Sequence, residues 1–270
     1  IAAAKAGTSW LYRYLSRHPD CHFRGVKELH YFDSVHGEKD FFRRNVRRRL
    51  RNLQEQAART EGAQREQLDL LIRDTAEWLK VLRAPDPEHR KYYGYMVAGR
   101  GPAKVVGDIT PSYALLSEDA YSEMAATAPR ARFVFLMRDP VSRLWSNTRM
   151  LARMKADRKG ADFEAEAFAA VDRFLVGGEH KQRVRSAYAG TLQRITRAVP
   201  RDRIHVCCME DMLDSRVGTQ PLTRFLGVRH AEAPIEQQVH AGLSLRLDPD
   251  RRARLVDMLR PQYDYVREFF

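Results

Sequence analysis

Apolar positions recur along this chain with two periods, and the alternation between them outlines its elements. Residues 1–4 read as the end of a short buried strand, followed by a turn at Lys5-Ala6-Gly7. Trp10, Leu11, Tyr14 and Leu15 then fall at helical spacing, which predicts a helix over 8–17 that stops at His18-Pro19. Residues 26–32 (VKELHYF) alternate like a strand or an extended segment. Lys27, Leu29 and Tyr31 would face one way and Glu28, His30 and Phe32 the other. Residues 38 to about 82 are rich in Arg, Gln and Glu and free of Pro, with Val46, Leu50, Leu53, Ala57, Leu68, Leu71 and Ile72 spaced as in an amphipathic helix broken near Gly62.

Beyond about 100 the apolar runs return. Residues 104–109 (KVVGDI) and 131–137 (ARFVFLM) have strand length, with a helical segment over 117–128 between them. Asp139 suits a helix N-cap and Pro140 the first helical position, where its missing N–H is not needed. Helices are expected at 162–176 and 180–198, a buried strand at 204–209, and terminal helices at 219–226 and 250–269. Strands alternating with helices predict an α/β fold with a parallel sheet covered on both faces. No Gly/Ser linker divides the chain, so the expectation is one domain over 1–270 with a helical insertion at about 38–100.

Composition narrows the class without choosing the function. The 270 residues carry 47 Lys+Arg against 35 Asp+Glu, a formal net charge of +12, with 44% hydrophobic residues. That hydrophobic share is ample for a core, and no run approaches the roughly 18–20 apolar residues that a membrane-spanning helix needs. The charge excess calls for anionic partners: nucleic acid, an anionic surface or a polyanionic small molecule. Cysteine is sparse (Cys21, Cys207 and Cys208), and an odd count without framework spacing argues for a reducing, cytoplasmic setting. No CxxC or HxxxH pattern supplies a zinc site, and no metal is expected. The chain starts at Ile1 inside an apolar run and without Met, so residues are expected to precede it.

Candidate chemistry starts at the first turn. A strand, a small-residue turn with Gly and a helix opening at Thr8-Ser9 suit a phosphate, since turn and helix N–H groups point at the anion and Lys5 adds a mobile charge. Lys5 precedes Gly7, so this is not the GxxxxGK[ST] loop of nucleotide hydrolases, and an ordinary helix start reads equally well. Arg138 follows a strand and Ser146 lies two turns into the next helix, on the sheet edge where ligands bind in doubly wound folds. Arg138 alone also reads as a partner for Asp139 or a capping charge. Ser142 and Arg143 read as capping and surface residues. Arg43, Arg44, Arg47, Arg48, Arg49 and Arg51 put six arginines in nine residues, either a solvated helix face or a docking surface for an acidic acceptor or partner.

These segments together resemble a known family. Lys5-Ala6-Gly7-Thr8-Ser9-Trp10 resembles the 5′-phosphosulfate loop of sulfotransferases, and residues 138–146 (RDPVSRLWS) resemble their 3′-phosphate motif RDPxxRxxS. Residues 27–33 (KELHYFD) are similar to the KExxFFD segment of the heparan-sulfate type, and 107–113 (GDITPSY) to its GExTPsY. Ser186 with Tyr188, then Glu210-Asp211-Met212, then residues 224–228 (RFLGV) match its later landmarks in order. The resemblance covers about 1–230 and suggests a bacterial branch of the family with a P-loop-like sheet. The C-terminal Lys/Arg-Gly segment of such enzymes is not recognisable, which leaves Arg246, Arg251 and Arg252 as candidates for its role.

The resemblance implies sulfuryl transfer from 3′-phosphoadenosine 5′-phosphosulfate (PAPS) to a hydroxyl or amine. It implies that Lys5 meets the bridging oxygen and that the N–H groups of Ala6, Gly7, Thr8 and Ser9, with the Thr8 and Ser9 hydroxyls, hold the 5′-phosphate. Trp10 would lie near adenine or simply pack in the core, and Arg138 and Ser146 would hold the 3′-phosphate. Glu28 would be the base, with His30 as the second candidate and simple pairing or packing as the other reading of each. Lys27, Asp108 and Tyr188 would bind or orient the acceptor; Asp108 equally suits a local bond to Thr110, and Tyr188 a buried position. The acceptor would be a small molecule, lipid or carbohydrate, not nucleic acid. An atypical P-loop kinase and a non-catalytic polyanion-binding protein are the competing readings.

Overall fold

The computed structural model describes residues 1–214, 217–232 and 245–269. In chain order the elements are α1 (Thr8–Ser16), β1 (Cys21–His22), α2 (Tyr31–His36), α3 (Lys39–Ala57), α4 (Gly62–Arg83), α5 (Arg90–Val97), β2 (Val105–Val106), α6 (Glu118–Ala126) and β3 (Phe133–Met137). They continue with α7 (Pro140–Lys159), α8 (Phe163–Leu175), α9 (His180–Ser186), α10 (Tyr188–Ala198), β4 (Ile204–Cys208), α11 (Met209–Leu213), α12 (Gln220–Leu226) and α13 (Pro249–Phe269).

The fold is α/β, with helices dominating and short parallel strands. β3 pairs with β4 in parallel, from Phe133 opposite Ile204 to Met137 opposite Cys208. The first residues flank β3 on its other edge: Ala2 bridges Leu136 in parallel, and Ala3 donates its N–H to the Leu136 carbonyl at 3.0 Å. A second parallel pair joins Cys21–His22 to Val105–Val106. Phe135, Leu136 and Met137 are completely buried and share the main core cluster with Leu192 and Ile195 of α10, and Phe135 meets Tyr188 of that helix edge-on, so the centre of the sheet lies in the core. Val141, Leu144, Val171, Phe174 and Leu255 form a second cluster where α7, α8 and α13 meet.

Local sequence signals place many of these ends. The Asp139 carboxylate accepts from the Ser142 N–H at 2.7 Å and Pro140 opens α7, as capping logic expects. Ser117 caps α6 by accepting from the Ala120 N–H. The helical insertion breaks between Ala57 and Gly62, giving α3 and α4, with α5 after them. Trp78 of α4 is completely buried against Tyr31, Tyr92 and Tyr95, so these helices share the main core.

Four expectations need correction. Residues 26–32 are not extended: Glu28 (φ 61°) and His30 (φ 54°) adopt left-handed backbone, and α2 starts at Tyr31. The reason is burial of two consecutive rings. Tyr31 stacks on Tyr92 with centroids 4.2 Å apart while Phe32 meets Tyr113 edge-on, and an alternating strand cannot turn neighbouring side chains into one core. Residues 104–109 pair as a strand only at Val105–Val106, because the partner strand is two residues long. The helix expected over 180–198 is two helices, broken at Ala187. Arg143 is not at the surface but fully buried, one guanidinium nitrogen donating to the Ser186 hydroxyl at 2.7 Å. Burial pushes its pKa down to about 10.

Candidate functional site

The turn between the first strand segment and α1 lies at the C-terminal end of the small sheet, beside the residues that leave β3 and β4. Its backbone is left-handed at Lys5 (φ 72°) and Gly7 (φ 89°). Glycine suits that backbone, and a Cβ there would also push aside the flexible end of Met209, with Cε 2.8 Å and Cγ 3.0 Å away. The Gly7 carbonyl accepts from the N–H groups of Trp10 and Leu11, which starts the helix. The N–H groups of Gly7, Thr8 and Ser9 have no partner among the described residues and lie at the N-terminus of α1, an arrangement that suits an anion. The Ala6 N–H differs from the expectation: it donates to the Ala3 carbonyl at 3.0 Å and is spent on closing the turn.

Basic side chains converge on this turn. Lys5 Nζ lies 3.8 Å from Met150 Sδ, which brings the α7 surface against the loop. Burial lowers the Lys5 pKa from its usual value, and the charges of Arg138, Arg149 and Lys27 lower it further. Arg138 donates to the Lys5 carbonyl at 3.3 Å and lies 3.9 Å from Glu210, while its own carbonyl accepts from the Tyr188 hydroxyl at 2.9 Å. Ser146 is half-buried on α7, with no hydrogen-bond partner for its hydroxyl among the described residues. Arg149 belongs to none of the sequence motifs; its only signal there is its place one helical turn after Ser146.

A second group faces the N-terminus of α1. Lys27 Nζ donates to Ser9 Oγ at 2.9 Å and to Glu28 Oε1 at 2.8 Å, tying the phosphate-type turn to the candidate base. Glu28 Oε2 lies 3.8 Å from His30 Nε2. On the other side of the ring, Nδ1 is 2.5 Å from Asp33 Oδ2 and 3.0 Å from Ser112 Oγ, which donates to the same Asp33 oxygen. With Asp33 accepting, the Nδ1 position carries the proton and Nε2 is turned towards Glu28. The His30 ring also stacks on Phe42 of α3, with centroids 5.1 Å apart. Asp33 and Ser112 were quoted inside sequence motifs without a role, and only the left-handed turn at His30 brings them to its ring.

The remaining candidates separate. Asp108 accepts from Thr110 Oγ1 at 2.7 Å, Tyr113 OH at 2.8 Å and Tyr92 OH at 3.1 Å; it does not meet Lys27. Burial raises its pKa against the pull of those three donors. Because Thr110 Oγ1 also lies 3.4 Å from the His30 N–H, Asp108 braces the 28–33 segment from behind. Trp10 is only 5% exposed and stacks on Tyr14, which places it in the core. Tyr188 is 2% exposed and holds the Arg138 backbone, so it supports the site from within. Arg251 is pinned by Asp172 and Asp248 at 2.7 and 2.9 Å, while Arg246 and Arg252 are exposed. Asp139 is used by Ser142 and by Tyr263, as a helix cap rather than as the metal-binding acid of a kinase.

The arginine cluster of α3 is divided by its helical period. Arg49 faces the site, 3.5 Å from the Lys27 carbonyl, on the same side as Phe42. Arg43 donates to the carbonyls of Leu82 and Arg83 and closes the C-terminus of α4. Arg44, Arg47, Arg48 and Arg51 are exposed on the opposite arc, away from Glu28. Among the described residues no cluster of three His, Cys, Asp or Glu side chains is arranged to hold a metal ion. None of the described helices is long and apolar enough to cross a membrane.

Comparison with known proteins agrees with this geometry. A sulfotransferase from Alicyclobacillus acidocaldarius has a similar structure, with a TM-score of 0.62 and 22% identity over 100% of this chain and 93% of that one. The sulfotransferase domain from the curacin biosynthetic pathway gives 0.51 and 15% over 96% of both chains. At such identities the likeness speaks for the fold. No curated protein matches the sequence. The family model described as the sulfotransferase family matches residues 1–232, a span that contains the Lys5 turn, the Glu28–Asp33 segment and the start of α7, and on that match the chain belongs to the sulfotransferase family.

Proposed function

We propose that this protein transfers a sulfuryl group from PAPS to a hydroxyl or amine of a small-molecule, lipid or carbohydrate acceptor. One observation supports the reading: Lys27 joins Ser9, beside the outward N–H groups of residues 7–9, to the carboxylate of Glu28, and its charge acts on Lys5. Sulfuryl transfer, like phosphoryl transfer, depends mainly on positioning and on stabilising dispersed negative charge. The acceptor oxygen or nitrogen forms a bond to sulfur as the bond from sulfur to the bridging oxygen breaks. The departing electron pair stays on the 5′-phosphate, and Lys5 with the N–H groups of Gly7, Thr8 and Ser9 stabilises it. Glu28 takes the acceptor proton, with the His30 ring held beside it by Asp33 and Ser112. Arg138 and Ser146 hold the 3′-phosphate.

The chain works as one domain in this reading, with Phe42 of α3 forming a wall beside His30. Cytoplasmic placement suits its cysteines, which are free thiols; burial raises the pKa of Cys207 to about 12 and those of Cys21 and Cys208 to about 11. The fold neighbour from a biosynthetic pathway favours a biosynthetic small molecule among the possible acceptors.

The test is binding followed by transfer. Adenosine 3′,5′-bisphosphate at 100 times its Kd should stabilise the protein by about 2.7 kcal/mol, and [35S]-labelled PAPS should label a product in fractionated lysate. Lys5→Ala should fold normally and lose transfer. Stabilisation by ATP with Mg²⁺ in place of the bisphosphate would overturn the reading in favour of a kinase.

A further inference from the structure

The charge balance of the proposed donor site points to one more ligand-binding residue. A bound adenosine 3′,5′-bisphosphate brings two phosphate monoesters, each about −1.5 to −2 at neutral pH, so roughly three to four negative charges must be met. Lys5 and Arg138 supply two positive charges. Lys27 is already paired with Glu28 at 2.8 Å, and Arg138 shares part of its charge with Glu210 at 3.9 Å. The site as assigned is short of positive charge.

Helix α7 supplies it. Ser142, Ser146 and Arg149 recur at i, i+4 and i+7 and so share one stripe, which starts beside Arg138. The flank next to this stripe, Val141, Leu144, Trp145 and Ala152, is packed into the second core cluster, which fixes the helix in rotation. The contact between Lys5 Nζ and Met150 Sδ puts this turn of α7 directly against the phosphate-type loop. Arg149 is half-buried, its guanidinium 5.7 Å from the Trp145 ring centroid, so it is held by an aromatic face rather than extended into solvent.

We infer that Arg149 is a third donor-binding cation, which binds the 3′-phosphate together with Arg138 and Ser146. The inference rests on the PAPS reading given above. Its electrostatics fit: burial lowers the Arg149 pKa and Arg138 lowers it further, while Lys5 in turn feels Arg149. A polyanion between these groups removes the repulsion that the ligand-free site bears.

The experiment compares adenosine 3′,5′-bisphosphate with adenosine 5′-monophosphate by calorimetry on the wild-type protein and on Arg149→Gln. A charge-assisted contact to the 3′-phosphate predicts a loss of about 10- to 100-fold in bisphosphate affinity with monophosphate affinity unchanged within about threefold, and Arg149→Lys should recover part of the loss. A structural role alone would weaken both nucleotides equally, and that result overturns the inference, as does unchanged bisphosphate binding. Should Arg149→Gln fail to fold, phenylglyoxal labelling of the wild-type protein replaces it: the bisphosphate must shield Arg149 and the monophosphate must not. A wild-type protein that binds neither nucleotide refutes the PAPS reading itself, which separates the two failures.

Discussion

Replacing Gly7 by alanine tests the donor loop without altering any charge. The residue sits at φ 89°, where an L side chain costs about 1–3 kcal/mol. The new methyl would also meet Met209, whose Cε and Cγ lie 2.8 and 3.0 Å from the Cβ position, but this is the outer end of a flexible, half-buried side chain that can swing aside at little cost. The destabilisation is then about 1–3 kcal/mol, a fall in Tm of roughly 2–12 °C for a chain of this size. A thermal melt measures it, and a second melt with adenosine 3′,5′-bisphosphate measures what the loop has lost as a binding site. In a Met209→Ala background the same Gly7→Ala change should cost about as much, because the backbone strain carries the effect. A Gly7→Ala protein that melts within about 2 °C of wild type and binds the bisphosphate equally well would refute the loop geometry.

Donor affinity should depend on pH through Lys5, whose pKa burial and the neighbouring charges of Arg138, Arg149 and Lys27 hold below its usual value. The bisphosphate favours the ammonium form, so the bound protein has the higher Lys5 pKa; affinity is full below the free protein's pKa and falls as pH rises through it. Calorimetric titration against pH should give that alkaline decline in wild type and a flat profile in Lys5→Ala; the same decline in both would exclude Lys5. Glu28→Gln should cut the initial rate of labelled sulfate transfer at least about 100-fold while bisphosphate affinity stays within about twofold. Undiminished transfer would shift the proton acceptor to His30.

Much of the fold and part of the site were legible in the chain because they depend on neighbours in sequence. Asp139 and Pro140 announce α7 by capping chemistry, the apolar runs ending at Met137 and Cys208 announce the paired strands, and Gly7 before Thr8 announces a turn with outward N–H groups. The alternation of residues 26–32 satisfies a strand, whereas packing of Tyr31 on Tyr92 and Phe32 on Tyr113 selects a helix start. Cys21–His22 gave no strand signal, since a two-residue strand has no period to detect.

The sequence by itself determined the family and the order of its motifs, for a local turn and a helix end are set by the residues that make them. Only the tertiary structure decided which side chains share the site. It brings Ser112 to His30 across 82 residues, sets Arg149 beside Lys5 and Arg138, buries Arg143, and sends one arc of the α3 arginines away from Glu28. The physical reason is that charge and burial at a point in space sum over all segments that reach it. The rotation of α7 and α3 about their axes depends on the cores they pack against, which no local period encodes.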